Sequence, residues 1–481
     1  MQKKHVVGPH GLTWLEGQVR HELDILSHNY KPWVPPAKGP HSEPVLDVLI
    51  VGGGLYGLGL AWGLLRSKVT NILVVDQAST GREGPWTTFA RMKTLRTAKQ
   101  LTGIEFGIPS VSVRAYWEAK FGRASWDGLD RIPRLEWMSY LEWYRRVLKI
   151  PVSNETKVTS IGGDANLVRV TIQKDEAESI LLTRRLVLAT GLIGNGGASI
   201  PKDLVSNLPA DRWAHSSDDI DFRKLAGKNI GVLGAGASAF DNAITAVENN
   251  ASKVSLFCRR HELPWLSAKK GLENAGFMRH FADLPDIYRW RFIRPIIKTP
   301  IPPPRHTVER ALEMSNFKLC LGEPWTTAHT DGADIIVNTS ISNYHFDYVI
   351  FGTGFDMDIL RRAEMHLLAP HILCWRDRFA PPQGEENTML LSQPYLGAAC
   401  EFQEREAGQC PVLNRISLLG AAATLSTGPM FGGLNGIKFL LERVVEQICK
   451  ALFLENLEVF YHTFENGLQA PKPPGAMGST D

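Results

Sequence analysis

Two short glycine runs carry most of the chemistry in this sequence. The first is Gly52-Gly53-Gly54-Leu55-Tyr56-Gly57, a GxGxxG. The second is Gly234-Ala235-Gly236-Ala237-Ser238-Ala239, a GxGxxA. This spacing suits a dinucleotide pyrophosphate. The first glycine permits a tight turn, the second lets the backbone approach the phosphates, and the third position lets helix and strand pack closely. The N-terminus of the following helix then faces the phosphate charge. Asp76 stands 19 residues after Gly57, close to the spacing at which an acid hydrogen-bonds a ribose hydroxyl. After the second run the equivalent position is Cys258, followed by Arg259 and Arg260. A ribose 2′-phosphate repels a carboxylate and attracts guanidinium groups. The second nucleotide is therefore expected to be NADPH rather than NADH.

These motifs need strands and helices around them. VLDVLIV, from Val45 to Val51, reads as a buried parallel strand, with a helix from about Leu55 to Ser67 and a second strand at 71–76. The unit repeats as a strand from Lys228, a helix over 237–249 and a strand from Lys253. Two more buried strands end in Thr-Gly turns: Leu186 to Thr190-Gly191, and Tyr348 to Gly352-Thr353-Gly354. Alternating segments before each predict small antiparallel layers: 168–173 with 180–182, and 335–337 with 340–346. Leu12, Leu15, Val19, Leu23, Leu26 and Tyr30 predict a docked helix over 12–30. Residues 31–44 hold five prolines and read as an extended linker, and the tail from Pro471 as disordered. The expected division is 1–44 helix and linker, 45–224 first nucleotide domain, 225–345 inserted second nucleotide domain, 346–470 return to the first, and 471–481 tail.

Composition narrows the class. The chain has 481 residues, and 53 basic against 50 acidic side chains leave a net charge of +3. That balance gives no support for nucleic-acid binding. Six cysteines without a CxxC pair remove zinc ribbons and dithiol redox pairs and point to a reducing, cytoplasmic setting. Val48–Leu65 is uncharged over 18 residues, long enough to span a membrane. Its six glycines favour strand, turn and helix instead.

The two motifs, their order and the Thr-Gly segments resemble the class B flavin-dependent monooxygenases. That family includes dimethylaniline-type, siderophore-type N-hydroxylating and Baeyer–Villiger enzymes. The resemblance covers most of the chain. It implies an α/β fold of two Rossmann-like domains, the NADPH domain inserted in the FAD domain. It implies FAD at Gly52, Gly54, Gly57 and Asp76, and NADPH at Gly234, Gly236, Ser238, Ala239, Arg259 and Arg260. The Thr190-Gly191 and Gly354 turns would lie along the FAD, and Trp86 of Gly84-Pro85-Trp86 would pass over the flavin. Arg91 and Arg96, with Lys93 and Lys99, form a basic loop expected to hold FAD phosphates or an anionic substrate group. Asn435, in the glycine-rich stretch 427–436, is expected at the flavin's electron-rich end.

His215 matches the histidine of the Baeyer–Villiger signature and is assigned to NADPH. Pro209, Asp211 and Asp219 replace its phenylalanine, glycine and tryptophan. That departure favours heteroatom oxidation, such as N-hydroxylation, over ketone insertion. The implied chemistry is reduction of FAD by NADPH, then oxygen transfer to a small molecule from a flavin C4a-hydroperoxide. No catalytic side chain or metal is called for. A non-catalytic flavin- and NADPH-binding protein is the alternative outside enzymes. Residues 286–310, basic and aromatic, are expected to form a lid or connector on the NADPH domain, with membrane contact as a lesser reading. Glu401 and Glu404 read as a solvated face.

Overall fold

The computed structural model describes residues 11–26, 31–101, 103–299, 301–428 and 434–469. The expected strand Val45–Val51 (β1) is the centre of the first sheet. Val48, Leu49 and Ile50 are fully buried, as a parallel strand covered on both faces requires. It pairs in parallel with Ile72–Val75 (β2) and Ala177–Leu188 (β6). Val152–Ser153 (β3) extends the sheet beyond β2, and Ile416–Leu418 (β15) pairs with β6. Thr156–Gly163 (β4) and Val168–Lys174 (β5) add an antiparallel meander onto β6. The segments read as separate strands at 180–182 and from 186 are one strand, because β6 is paired along its whole length.

The second sheet is all parallel. Its order is Phe317–Leu321 (β10), Lys253–Cys258 (β9), Asn229–Leu233 (β8), Tyr348–Phe351 (β14) and Trp213–His215 (β7). It reaches back to 213 and on to 351, outside the expected 225–345. Trp325–Asp331 (β11), Asp334–Thr339 (β12) and Asn343–Phe346 (β13) make a three-stranded antiparallel layer. The chain leaves the first sheet after β6 and returns after β14, and these two passages touch. Ser199 N donates to the Gly354 carbonyl at 2.9 Å, and Asp356 N to the Gly197 carbonyl at 2.9 Å.

Helix Leu55–Arg66 follows β1 and is buried almost throughout. The stretch Val48–Leu65 is thus strand, turn and core helix, and no helix among the described residues is long and apolar enough to cross a membrane. Helix Ile437–Glu455 lies tight against it. A Cβ at Gly59 would sit 2.5 Å from Leu441 Cδ1, and one at Gly63 2.6 Å from Val445 Cγ2. The N-terminal helix runs Gly11–Ile25 and buries Leu15 and Val19. Its expected continuation over 27–30 lies outside the described residues, as does the tail from Pro471. The linker is strapped down: Trp33 Nε1 donates to the Ser67 carbonyl at 2.8 Å, and Arg184 to the Pro35 carbonyl at 2.8 Å.

One placement differs from expectation. Helix Asp286–Lys298 packs Trp290, Ile293 and Ile296 against Trp375, Leu390 and Leu425 of the returning FAD-domain chain. It does not dock on the NADPH-domain core. Its apolar stripe chooses the deeper hydrophobic partner, and its outer cations follow: Arg291 pairs with Glu385 and Arg294 donates to the Gly384 carbonyl. The buried Arg289 pairs with Asp286 and donates to Tyr395 Oη at 3.0 Å.

Candidate functional site

The turn after β1 has the geometry a pyrophosphate needs. Gly52 has φ +112°, and a Cβ there would meet the Ala189 carbonyl at 2.4 Å. At Gly57 a Cβ would lie 1.8 Å from the Gly52 carbonyl oxygen. Both glycines are therefore required by the protein's own packing. Gly54 is different: the nearest atom to an added Cβ is Gly84 Cα, at 4.0 Å. The space beside it is open, and the helix starting at Leu55 has no side-chain cap on its N–H groups. A phosphate is the natural partner for both.

Asp76 closes the far side of this cradle. Its Oδ2 accepts from Gly53 N at 2.6 Å and its Oδ1 from Ala78 N at 2.8 Å. Burial raises its carboxyl pKa, and those two amides pull it back down. Beyond it lies a cavity of about 780 Å³ bordered by Gly53, Thr80, Gly81, Glu83 and Arg145. Glu83 is buried and accepts from Arg145 at 2.9 Å, Asn154 at 2.6 Å and Gly81 N at 2.8 Å. This trio stiffens the turn into Gly84-Pro85-Trp86, where Gly84 has φ +75°. Trp86 stands edge-on to Trp137, ring centroids 6.2 Å apart.

The turn after β8 repeats the arrangement. Gly234 has φ +118°, and a Cβ there would meet the Gly352 carbonyl at 2.3 Å. Ala239 is fully buried; its Cβ lies where a Cβ on Gly352 would come within 2.6 Å. Gly236 has nothing within 4 Å of an added Cβ, and helix Ala237–Glu248 also begins without a side-chain cap. Ser238 is exposed at that start. Arg259 and Arg260 are exposed at the end of β9, and among the described residues no acid pairs with either.

The outgoing passage carries Thr190, Gly191 and, at the end of β7, His215; the returning one carries Gly354, whose carbonyl accepts from Ser199 N at 2.9 Å. Gly191 and Gly354 have φ +66° and +86°, each open to an added Cβ. Asn195 went unnoticed in the sequence. It is fully buried, donates to the Gly191 carbonyl and accepts from Ala422 N at 3.0 Å, so it ties this turn to the returning chain. His215 is fully buried with its ring edge-on to Phe355 at 5.6 Å. Its Nδ1 accepts from Ser217 N at 3.1 Å, which leaves the proton on Nε2. Nε2 is buried without a hydrogen bond. Burial lowers the ring pKa; Asp218 and the nearby Gly354 backbone push it back up. The imidazole is thus neutral at pH 7. Asn435 has no described side chain.

The basic loop is spent on protein partners. Arg96 pairs with Asp241 at 2.5 Å and Lys93 with Glu248 at 2.9 Å. Arg91 donates to the Asp218 carbonyl at 3.1 Å and lies over the Phe222 ring at 5.3 Å. Lys99 donates to the Trp126 carbonyl at 2.5 Å. Arg91 and Arg96, expected to hold FAD phosphates or an anionic substrate group, reach toward the second domain instead: Arg96 meets the buried Asp241 and Arg91 an exposed carbonyl at Asp218. The glutamates are likewise engaged rather than solvated: Glu401 accepts from Ala399 N at 2.7 Å and Glu404 from Cys410 N at 2.5 Å.

A family model described as pyridine nucleotide-disulphide oxidoreductase matches residues 49–270. The FAD-dependent urate hydroxylase of Xanthomonas campestris pv. campestris is 38% identical over 455 residues, covering 94% of this chain and 95% of that protein. The chain belongs to the class B flavin-dependent monooxygenases. Among solved structures of that fold, an ornithine N-hydroxylase from Kutzneria sp. 744 superposes with a TM-score of 0.68 at 17% identity, over 85% of this chain and 100% of that one. An L-lysine 6-monooxygenase from Pseudomonas syringae gives 0.62 at 18% identity, over 84% and 99%. At such identities the likeness concerns the fold.

The two cradles of this chain fit a pair of dinucleotide cofactors, a flavin and a pyridine nucleotide. When bound, the cofactors supply hydride transfer and oxygen activation. The chain's part is to hold them and keep water out. The open space at Gly54 and Gly236, and the two uncapped helix starts, fit two pyrophosphates. The doubly hydrogen-bonded Asp76 fits a ribose. Arg259 and Arg260, without an acid partner among the described residues, fit a 2′-phosphate.

Proposed function

We propose that this monooxygenase hydroxylates a urate-like oxidised purine, at the expense of NADPH and dioxygen. The carrying observation is the 38% identity to a urate hydroxylase along 94% of this chain. A match of that extent includes the segments outside both nucleotide cradles, where substrate choice is made. Urate is a planar, electron-rich anion, and such a ring suits an electrophilic oxygen donor.

Gly52, Gly54, Gly57, Asp76, Trp86 and the Thr190-Gly191 turn are the proposed FAD contacts. Gly234, Gly236, Ser238, Ala239, Arg259 and Arg260 are the proposed NADPH contacts. The neutral, buried His215 supports the passage between the two from beneath. Six unpaired cysteines and the use of NADPH fit work in the cytoplasm.

The test offers urate, L-ornithine, L-lysine, a thioether and a cyclic ketone to the holoprotein with NADPH. Loss of the urate ultraviolet band, matched mole for mole by NADPH oxidation and oxygen uptake, is expected. Hydroxylation of an amine, with urate untouched and only hydrogen peroxide formed in its presence, would replace this reading by amine oxidation.

A further inference from the structure

We infer that Arg96 is a positioning residue for flavin reduction: the loop Trp86–Arg96 is a strut that sets the NADPH cradle at its working distance from the flavin. On the FAD side this loop is held by backbone contacts. Leu95 N donates to the Ile132 carbonyl at 2.8 Å, and Arg134 N to the Lys93 carbonyl at 3.1 Å. Arg134 Nε donates to the Met92 carbonyl at 2.9 Å. Arg134 also donates to the Trp86 carbonyl and Arg131 to the Arg96 carbonyl. Leu95 is 1% exposed, a plug beneath the loop. The loop also starts next to the first cradle, since Gly84 is the nearest neighbour of Gly54.

On its other side the loop meets the helix that carries the second cradle. Arg96 reaches Asp241, which sits on Ala237–Glu248 just after Ser238 and Ala239. Lys93 reaches Glu248 at the end of the same helix, where Arg310 also pairs. Arg82 reaches Asp219 on the connecting segment. Asp241 stands apart from the other acids. Its side chain is 9% exposed, against 36% for Glu248 and 66% for Asp219. Exposed pairs hold weakly and melt with salt, whereas a buried carboxylate must keep its cation. Arg96 is therefore the contact that fixes the helix, and through the helix the bound nucleotide.

Hydride transfer moves a hydride from the nicotinamide to the flavin and leaves NADP⁺. Its rate depends on the approach of the two rings, and small displacements cost much. No atom of Arg96 lies within 4 Å of a Cβ added at Gly236, so its loss should spare nucleotide binding and slow transfer.

The inference rests on NADPH occupying the Gly234–Ala239 turn. The experiment uses the FAD-loaded protein, with Arg96→Ala, Asp241→Asn, their double variant and the charge swap Arg96→Asp/Asp241→Arg. Flavin reduction at saturating NADPH is expected to slow roughly ten- to a hundredfold in each single variant. The NADP⁺ dissociation constant should stay within about threefold, well under a tenfold, 1.4 kcal/mol change. The shift that NADP⁺ induces in the flavin absorption spectrum should shrink. The double variant should be no worse than either single one, and the swap should recover part of the rate. Arg96→Lys covers the case in which the alanine variant loses FAD: it should keep the flavin and an intermediate rate. Parental reduction rates and an unchanged NADP⁺ difference spectrum in Arg96→Ala would reduce the pair to surface adhesion. NADP⁺ failing to bind the parent protein would instead overturn the placing of NADPH itself.

Discussion

At Gly54 an added Cβ would come no nearer to protein than 4.0 Å, at Gly84 Cα, so a larger side chain would intrude chiefly on the space proposed for a pyrophosphate. The backbone there, φ −76° and ψ −168°, is one a valine adopts without strain. Gly54→Val should therefore fold, with an unchanged circular dichroism spectrum, and purify without flavin colour. A fully yellow Gly54→Val protein would show that FAD lies elsewhere. Gly57→Val would make a poor control, because its Cβ would strike the Gly52 carbonyl whatever the ligand. Arg259 and Arg260 make the opposite case. Exposed and without ion pairs among the described residues, they contribute little to folding, within about 0.5 kcal/mol of stability. Their double alanine variant should weaken NADPH by about tenfold or more, since a charged hydrogen bond contributes roughly 1.5–3 kcal/mol. NADH turnover should hardly change. Equal use of NADPH and NADH by the parent enzyme would leave the two arginines without a ligand.

Among the elements, those that bury both faces were legible in the sequence. β1, β8, β14 and the last part of β6 are continuous apolar runs ended by glycine turns, and no other local structure accounts for such runs. β3 and β7 were not legible. They hold two and three residues, and only pairing with a neighbour makes them strands. The helix 286–298 shows its apolar stripe in the sequence, but not which of two hydrophobic surfaces will receive it. The site divides the same way. Backbone-made parts, the glycine turns and their acid, follow from local spacing. Side-chain-made parts do not: Arg96 and Asp241 are 145 positions apart. Asn195 is a residue type with no preference that would single it out. Its role comes from two backbone groups that the fold brings to it.

For the whole molecule, one buried acid near the strapped linker makes stability depend on pH. Asp47 is 3% exposed, its Oδ1 lacks a hydrogen bond, and the nearest Arg184 nitrogen is 3.7 Å away. Burial raises its carboxyl from 3.8 to about 6, and Arg184 only partly opposes this. Between these values the folded chain keeps a proton that the unfolded chain has released. The stabilisation from the neutral acid is then lost as pH rises through about 6. The melting temperature of Asp47→Asn, relative to the parent, should therefore climb from pH 4 to pH 7. A difference that stays flat with pH would show that Arg184 compensates the charge fully.

The stitched passages at Gly197–Ser199 and Gly354–Asp356 bear on how such a molecule could be assembled. The second sheet and its antiparallel layer enter and leave the first domain through this hydrogen-bonded gate, while helix 286–298 of the same insert packs on the returning chain. The first domain therefore experiences the insert as a closed loop. The entropy of closing a loop grows only logarithmically, by about 0.6 kcal/mol for each doubling of its length. Loop closure alone would let the insert lengthen or shrink at this gate with little cost; the packing of helix 286–298 against Trp375, Leu390 and Leu425 ties it to its host. What such changes must keep is the pairing of the two passages, together with the contacts of helix 286–298 and of Arg96, because these hold the insert against its host.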